Sequence, residues 1–119
     1  MNQKIRLTKI FTFEMAHALS GYDGACSNIH GHSYQLYVTI IGSPLTDSTH
    51  PKNGMVMDFK DLERIVKQKV IDRFDHALLL SEDKRDSHEA LLSQYYQKVE
   101  YTLYQPSCEM MLLDIAEQI

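Results

Sequence analysis

Two early segments of the chain alternate between hydrophobic and polar positions, as β-strands do. Residues 4–13 predict a first strand, in which a slip of the alternation between Leu7 and Phe11 indicates a bulge or twist. Residues 33–41 alternate regularly and predict a second strand. Residues 18–29, between the two, are rich in Gly, Ser, Asp and Asn and predict a loop. The two strands can therefore pair as a hairpin.

The hydrophobic pattern changes to helical spacing near residue 58. Residues 55–57 predict a short strand, and Asp58 is a typical N-cap for the helix that follows. Apolar residues then recur every three or four positions over roughly three turns. They are Phe59, Leu62, Ile65, Val66 and Val70.

The last third of the chain contains shorter predicted elements. Residues 90–97 predict a short helix, residues 99–103 alternate and predict a short strand, and Pro106 and Ser107 open a last apolar helix. This order of elements is typical of an α+β chain with antiparallel hairpin pairing. The length of 119 residues predicts a single domain over residues 1–119.

Charge and composition narrow the classes of protein. Twelve Lys and Arg against sixteen Asp and Glu give a net charge of −4, which argues against nucleic-acid and anionic-membrane partners because both attract positive charge. No apolar run approaches the roughly 20 residues of a membrane span, and the N-terminus has no apolar signal-peptide core. Two cysteines do not make a disulfide scaffold, so we expect a reduced, cytoplasmic protein.

Three histidines have the spacing of a metal site. His30 and His32 are two residues apart on the second predicted strand, so their side chains project to the same side. His17 lies at the end of the preceding strand, and a hairpin would bring all three rings to one end. Three neutral imidazoles with an open fourth position are typical of a catalytic zinc site.

Cys26 lies four residues before His30 and has two interpretations. It could be a fourth ligand that closes a structural site. It could also be an unligated thiol near the metal, with its pKa lowered so that it serves as a base. The residues alone leave both open.

Asp75 and His76 form a second candidate pair within an apolar stretch. A carboxylate can orient an imidazole and favour its protonated form, which suits a proton relay. Adjacent side chains do not usually bond each other, so we expect Asp75 to act through another group. The alternative is a helix-terminal Asp and a partly exposed His, but isolated charges are costly in apolar surroundings, which favours a buried function.

Five separated motifs match, in order, a known enzyme family. They lie at residues 13–17, 26–34, 54–59, 74–76 and 106–109. They resemble the 6-pyruvoyl-tetrahydropterin synthase and 6-carboxytetrahydropterin synthase family over nearly the whole chain. The Cys-x-x-x-His-Gly-His spacing is similar to that of the bacterial 6-carboxytetrahydropterin synthases of queuosine biosynthesis.

The resemblance implies the tunnelling fold, in which an antiparallel sheet carries two helices on one face. Family subunits join edge to edge into a barrel and two rings stack, so a homohexamer is implied if the C-terminal strands are present. The family continues past the last helix into a final pair of strands, whose glutamate anchors the pterin ring. No residue here matches that glutamate, so we expect this chain to lack its last hairpin.

The resemblance also implies roles for individual residues. The ligands of a Zn²⁺ ion would be His17, His30 and His32. Cys26 would be the general base, which favours its unligated interpretation. Asp75 and His76 would complete the proton relay.

The motif at the last helix departs from the family pattern. Pro-Thr is usual where this chain has Pro106 and Ser107, which keeps the hydroxyl, and Asn is usual where it has Met110. Glu109 suits the positive end of the helix dipole, and its carboxylate can also accept two hydrogen bonds from a guanidine-like ligand edge. We assign Ser107 and Glu109 to substrate binding.

The implied substrate is 7,8-dihydroneopterin triphosphate, and the implied reaction is a lyase reaction. It releases triphosphate and acetaldehyde and leaves 6-carboxy-5,6,7,8-tetrahydropterin. One alternative is 6-pyruvoyl-tetrahydropterin synthase activity on the same scaffold. Another is a truncated, catalytically impaired subunit that binds zinc.

Overall fold

A long antiparallel hairpin dominates the computed structural model, which describes residues 3–24, 27–84 and 96–119. Strand β1 (Ile5–His17) pairs with strand β2 (His30–Gly42) over the full length of both. Ile5 lies opposite Gly42 at one end, and His17 lies opposite His30 at the other. The predicted hairpin is confirmed, and both strands extend further toward the connecting loop than the alternation indicated.

The predicted bulge in β1 is wrong, because the pairing register runs without interruption. The alternation slips because Lys9 occupies the covered face of the strand. Its Nζ pairs with Glu63 at 2.9 Å and lies 5.8 Å from the centre of the Phe59 ring. Ile10 in turn lies on the exposed face. A long amphipathic side chain can take an inward position when its charged end finds a partner.

Two short strands complete a four-stranded sheet in the order β2-β1-β3-β4. Strand β3 (Leu78–Ser81) runs parallel to β1, and β4 (Val99–Thr102) runs parallel to β3. The predicted short strand near residue 99 is confirmed. The β1–β2 hairpin is antiparallel as predicted, but the sheet is mixed rather than antiparallel throughout, because a helical crossover lies between β2 and β3 and returns the chain in the direction of β1.

Residues 55–57, predicted as a strand, do not form one. Their connection folds on itself instead: Leu45 donates its N–H to the Met55 carbonyl at 2.9 Å, and Gly54 donates to the Leu45 carbonyl at 2.7 Å. Gly54 has φ 86°, a left-handed conformation that favours glycine. Local turn bonds therefore take the place of sheet pairing.

The first helix, α1, begins where the sequence predicts. Asp58 is its N-cap and accepts from the Lys60 N–H at 2.9 Å. Helix α1 consists of α-helical Phe59–Val66, a π-helical segment Lys67–Ile71 and a last α-helical turn Asp72–Phe74.

The π-helical segment keeps one face of α1 buried. In an ideal α-helix, a residue four positions along the chain is rotated about 40° beyond a full turn around the helix axis. The π-helical segment turns less per residue, and this offsets the rotation. Val66, Val70 and Phe74, each four residues apart, are all fully buried.

The second helix, α2 (Cys108–Gln118), begins after Ser107, whose hydroxyl accepts from the Met110 N–H at 3.2 Å. Both helices pack on the same face of the sheet, where Phe13, Met15, Leu36 and Val38 meet buried residues of α1 and α2 in one core. The α+β class with two helices is thus confirmed. Within the described ranges, no helix has the length and apolar character that a membrane crossing requires. Most of the helix predicted at residues 90–97 lies outside the described residues.

Candidate metal centre

The hairpin brings three imidazole rings together at one end of the sheet. His17 and His30 are directly opposite each other in the register, and His32 follows two residues along β2, on the same face. One ring nitrogen from each of the three lies within 4.8 Å of the other two. The predicted convergence of the three rings is therefore present.

Two backbone carbonyls orient the rings. His17 Nδ1 lies 2.7 Å from the Pro106 carbonyl oxygen, and His30 Nδ1 lies 2.7 Å from that of Asn28. A carbonyl oxygen only accepts hydrogen bonds, so each Nδ1 carries the proton and donates it. Each neutral ring therefore presents the lone pair of its Nε2, as metal-binding histidines oriented by an outer hydrogen bond do.

These two lone pairs face each other, which is the strongest sign of a cation site. The Nε2 atoms of His17 and His30 are 3.0 Å apart. Two unprotonated nitrogens at this distance repel each other unless a cation lies between them. Nitrogen ligands of a tetrahedral zinc ion, at about 2.0–2.1 Å from the metal, would be about 3.3 Å apart. The three histidines therefore fit a metal ion such as zinc, with one coordination position left for another ligand.

Burial keeps the central ring of the cluster neutral. His17 is only 5% exposed, and its burial lowers its pKa, an effect that the Pro106 carbonyl opposes and that protonation of His30 or His32 would reinforce. A neutral imidazole is the form that binds a metal. His30 is half-buried and His32 is exposed, so the cluster opens toward solvent on the His32 side.

Asp75 and His76 follow α1 and contact each other directly. Asp75 Oδ1 lies 3.1 Å from His76 Nδ1, so the expectation that Asp75 acts through another group is wrong. The contact is possible because His76 has φ 61°, a left-handed conformation that folds its ring back toward the carboxylate. The expected burial is also wrong for His76, whose side chain is 78% exposed.

The Asp75 carboxylate is held in its ionised form. A hydrogen bond from the Glu14 backbone N–H, at 3.0 Å, lowers the pKa of Asp75. Desolvation opposes this effect, and the bond to His76 and the charges of His76 and Lys98 lower the pKa further. An ionised carboxylate at Nδ1 leaves the opposite nitrogen of His76 as the atom that can exchange a proton with a ligand.

One open groove lies beside the Asp75–His76 turn, on the face of the hairpin that carries the Glu14 and Ser33 side chains. His32 and His76 both line it, together with Glu14, Ser33 and the backbone around Gly31. Ser33 donates its hydroxyl proton to Glu14 Oε2 at 2.6 Å across the hairpin. The groove therefore gives a ligand access to His76, whereas the imidazole of His32 projects to the opposite face of the hairpin with those of His17 and His30.

The remaining predicted site residues are Cys26, Ser107 and Glu109. Cys26 lies outside the described residues. The hydroxyl oxygen of Ser107 caps α2, and the neighbouring Pro106 carbonyl orients His17, so this motif borders the metal cluster. Glu109 is exposed in the first turn of α2. Among the described residues, no hydrogen bond or ion pair joins it to the histidines.

The sequence did not predict which backbone and side-chain groups hold the site residues in place. The Glu14 backbone and the Lys98 ammonium hold the Asp75–His76 turn, and the Asn28 carbonyl orients His30. The position of Ser33 opposite Glu14 follows from the hairpin register and could have been predicted. Backbone acceptors carry no side-chain signal, and Lys98 is too distant in sequence for any local pattern to connect it with Asp75.

Sequence comparison places the chain among pterin synthases. A family model described as 6-pyruvoyl tetrahydropterin synthase matches residues 6–119. The 6-carboxy-5,6,7,8-tetrahydropterin synthase of Haemophilus influenzae is 43% identical over 90 residues, which are 75% of this chain and 62% of that protein. The enzyme of the same name from Rickettsia bellii is 31% identical over 115 residues, 97% of this chain and 80% of that protein. The chain thus spans less than two thirds of the Haemophilus relative.

Structural comparison agrees at the level of the fold. An uncharacterized protein from Wolinella succinogenes matches with a TM-score of 0.72 at 15% identity, over 97% of this chain and 82% of that one. The 6-pyruvoyl tetrahydropterin synthase of Caenorhabditis elegans matches with a TM-score of 0.66 at 21% identity, over 98% and 77%. These neighbours confirm the tunnelling fold. With the family model covering nearly the whole sequence, the chain belongs to the 6-pyruvoyl tetrahydropterin synthase family.

Proposed function

We propose that this chain is a zinc-dependent lyase of queuosine biosynthesis that acts in the cytoplasm. It would convert 7,8-dihydroneopterin triphosphate to 6-carboxy-5,6,7,8-tetrahydropterin with loss of triphosphate and acetaldehyde. The observation that carries the proposal is the histidine cluster, in which two carbonyl-oriented rings present Nε2 atoms 3.0 Å apart. The similarity to the 6-carboxy-5,6,7,8-tetrahydropterin synthases of Haemophilus and Rickettsia favours the carboxy product.

The metal would be held by His17, His30 and His32. When bound, Zn²⁺ supplies a Lewis acid that polarises oxygen atoms of the substrate side chain. Because His32 is the exposed member of the cluster, the substrate would reach the metal from its side.

His76 would move a proton at the nitrogen opposite Asp75. The Asp75 carboxylate accepts from His76 Nδ1–H and stabilises the imidazolium, so Nε2 can give a proton to the substrate or take one from it. The exposure of the ring lets it reach a ligand without a rearrangement of the core. Asp75 orients His76 and does not itself need to reach the substrate.

Three further residues complete the proposed site. Cys26 would be the general base, as the family resemblance implies, because a thiol near a bound metal forms a thiolate more readily. Ser107 and Glu109 would contribute to substrate binding at the start of α2, beside the Pro106 carbonyl that orients His17.

Self-association is also part of the proposal. Strands β2 and β4 are the two edges of the sheet in the described residues, and β2 carries exposed Tyr37 and Ile41 along its length. A long edge with exposed apolar side chains favours pairing with another chain. We propose a homo-oligomer, a homohexamer if the family assembly is complete, and sedimentation velocity would measure its size.

The activity is tested by product analysis of the zinc-loaded full chain. Incubation with 7,8-dihydroneopterin triphosphate should release acetaldehyde and triphosphate in equal amounts. Triphosphate release without acetaldehyde would instead establish the 6-pyruvoyl activity. Zinc binding without any turnover would establish a catalytically impaired subunit.

The metal site is tested by paired histidine variants. His32→Ala should weaken zinc binding by at least about tenfold, because it removes one of three ligands. His50→Ala is the matched control, since His50 lies in an exposed loop with its Nδ1 bonded to the Lys52 N–H. Equal zinc affinity of the two variants in a chelator competition would contradict the metal assignment.

A further inference from the structure

The peptide group between Asp75 and His76 is held from both sides. Its carbonyl oxygen, on Asp75, accepts from Lys98 Nζ at 2.5 Å. Its N–H, on His76, donates to the Glu14 carbonyl at 2.5 Å. Glu14 and Lys98 belong to different parts of the sheet, so rotation of this peptide plane breaks a bond on at least one side.

The orientation of this plane decides where the His76 ring points. Asp75 ends α1 with an extended ψ of 125°, and His76 then adopts φ 61°. A residue with a Cβ stays in this left-handed region only where its surroundings impose it. If the plane were free, His76 would return to a common conformation, and its ring would leave both the Asp75 carboxylate and the groove.

Lys98 is anchored independently of its side-chain bond. It directly precedes β4, and its backbone carbonyl accepts from the Leu78 N–H at 3.0 Å. Its side chain is half-buried, so the ammonium extends from a fixed backbone toward the turn. The hydrogen bond is charge-assisted and therefore among the stronger ones available to a carbonyl.

We propose that Lys98 is a positioning residue for the reaction. Its ammonium fixes the Asp75–His76 peptide opposite the bond from Glu14, and this keeps the His76 ring against Asp75 and directed along the groove. The inference rests on the proposed function, because it assigns to Lys98 an effect that operates through the proton transfer of His76.

Kinetics of the zinc-loaded chain give the first test. Lys98→Met should lower kcat by about tenfold and leave KM within about twofold, because the substrate still binds but the relay is misplaced. Lys98→Arg should recover part of the loss, since it restores a charged donor. Zinc content should be unchanged in both. Lys69→Met, on the exposed face of α1, is the matched control and should behave as wild type.

A double-variant cycle separates positioning from a general structural role. In the His76→Ala background, Lys98→Met should cause no further loss of kcat, because the group through which it acts is already absent. A full additional loss would overturn the proposal. If wild type shows no turnover, the proposed function itself fails. If His76→Ala turns over at the wild-type rate, the activity stands but the proton transfer by His76, and with it the role of Lys98, is refuted.

Amide hydrogen exchange measured by NMR tests the contact without any activity. The His76 N–H should exchange at least about tenfold faster in Lys98→Met than in wild type, because its peptide plane is released. It should be unchanged in Lys69→Met. Equal exchange rates in Lys98→Met and wild type would overturn the positioning role. If Lys98→Met does not fold, Lys98→Gln, which keeps a neutral donor, takes its place. The same two measurements apply to it: kcat with and without His76→Ala, and the exchange rate of the His76 N–H.

Discussion

Arg73 lies two residues before Asp75 and joins three elements, α1, β4 and α2, so its replacement tests how the end of α1 is held. Its Nε donates to Glu100 at 3.0 Å, which ties the last turn of α1 to β4. Its Nη1 donates to Asp114 at 2.9 Å, which ties the same turn to α2. The change to test is Arg73→Met, which keeps a long apolar stem and removes both bonds.

The expected magnitude follows from how far these charges are shielded from water. The Arg73 and Asp114 side chains are 30% and 13% exposed, so the pair lies between a surface pair, worth about 0.2–1 kcal/mol, and a broken buried pair, which costs about 3–5 kcal/mol. Asp114 also keeps a hydrogen bond from the Tyr104 hydroxyl. We therefore expect Arg73→Met to lower the free energy of unfolding by about 2 kcal/mol.

Urea titration at fixed protein and zinc concentrations measures this loss, because both affect apparent stability. Arg64→Met is the matched control: Arg64 pairs with Asp61 at 3.6 Å with side chains 60% and 48% exposed, and its loss should be below about 0.5 kcal/mol. In a cycle with Asp114→Asn, the Arg73–Asp114 coupling should be about 1 kcal/mol. Equal losses for the two arginine variants, or strict additivity in the cycle, would refute the reasoning.

Three other outcomes concern the core, a turn and the pH dependence of stability. Phe74 is fully buried and Leu113 is 63% exposed, so Phe74→Ala should lower the free energy of unfolding by about 3–5 kcal/mol, and Leu113→Ala by less than about 0.5 kcal/mol; similar urea midpoints would contradict this. Gly54 has φ 86° with open space around it, so Gly54→Ala should cost about 1–2 kcal/mol through backbone strain, and an unchanged Tm would contradict this. The Glu14 N–H is the main cause that lowers the pKa of Asp75 in the folded chain. The resulting stability is present above the unfolded pKa of about 3.9 and is lost as the pH falls through the lower folded value. The Tm of wild type should therefore fall more steeply with acidification than that of Asp75→Asn, and parallel curves measured by calorimetry would argue against this assignment.

The hairpin and the meeting of three histidines can be predicted because strand periodicity fixes which side chains share a face. His30 and His32 are two apart, and antiparallel pairing with a loop over residues 18–29 brings His17 to the same end. Asp58 and Ser107 are equally local signals, since a capping side chain bonds within three residues of itself. Features that depend on residues close together in the sequence can thus be predicted from it.

The strands with which the short strands β3 and β4 pair cannot be predicted in this way. Four-residue strands such as β3 carry no pattern that identifies a neighbour, and its pairing with β1 depends on how α1 packs across the sheet. The direct contact of Asp75 with His76 depends on φ 61° at His76, a conformation that contacts from Glu14 and Lys98 impose. Lys9 led to a wrong prediction for the same reason. A charged residue on the covered face of a strand interrupts the alternation and suggests a bulge, and its partner Glu63 is distant in the sequence.

The Asp75–His76 turn and the histidine cluster both depend on β1, so the distance between them is set by one strand. The Glu14 backbone holds that turn and His17 begins the cluster, three residues or about 10 Å apart along the strand. A shift of one residue in the β1 register would turn His17 to the opposite face and displace Glu14, so zinc binding and proton transfer would fail together. Loss of Lys98 would leave the three histidines in place, because its contacts are with the turn and β3. Zinc content measured beside kcat therefore distinguishes damage to the strand from damage to the support of the turn.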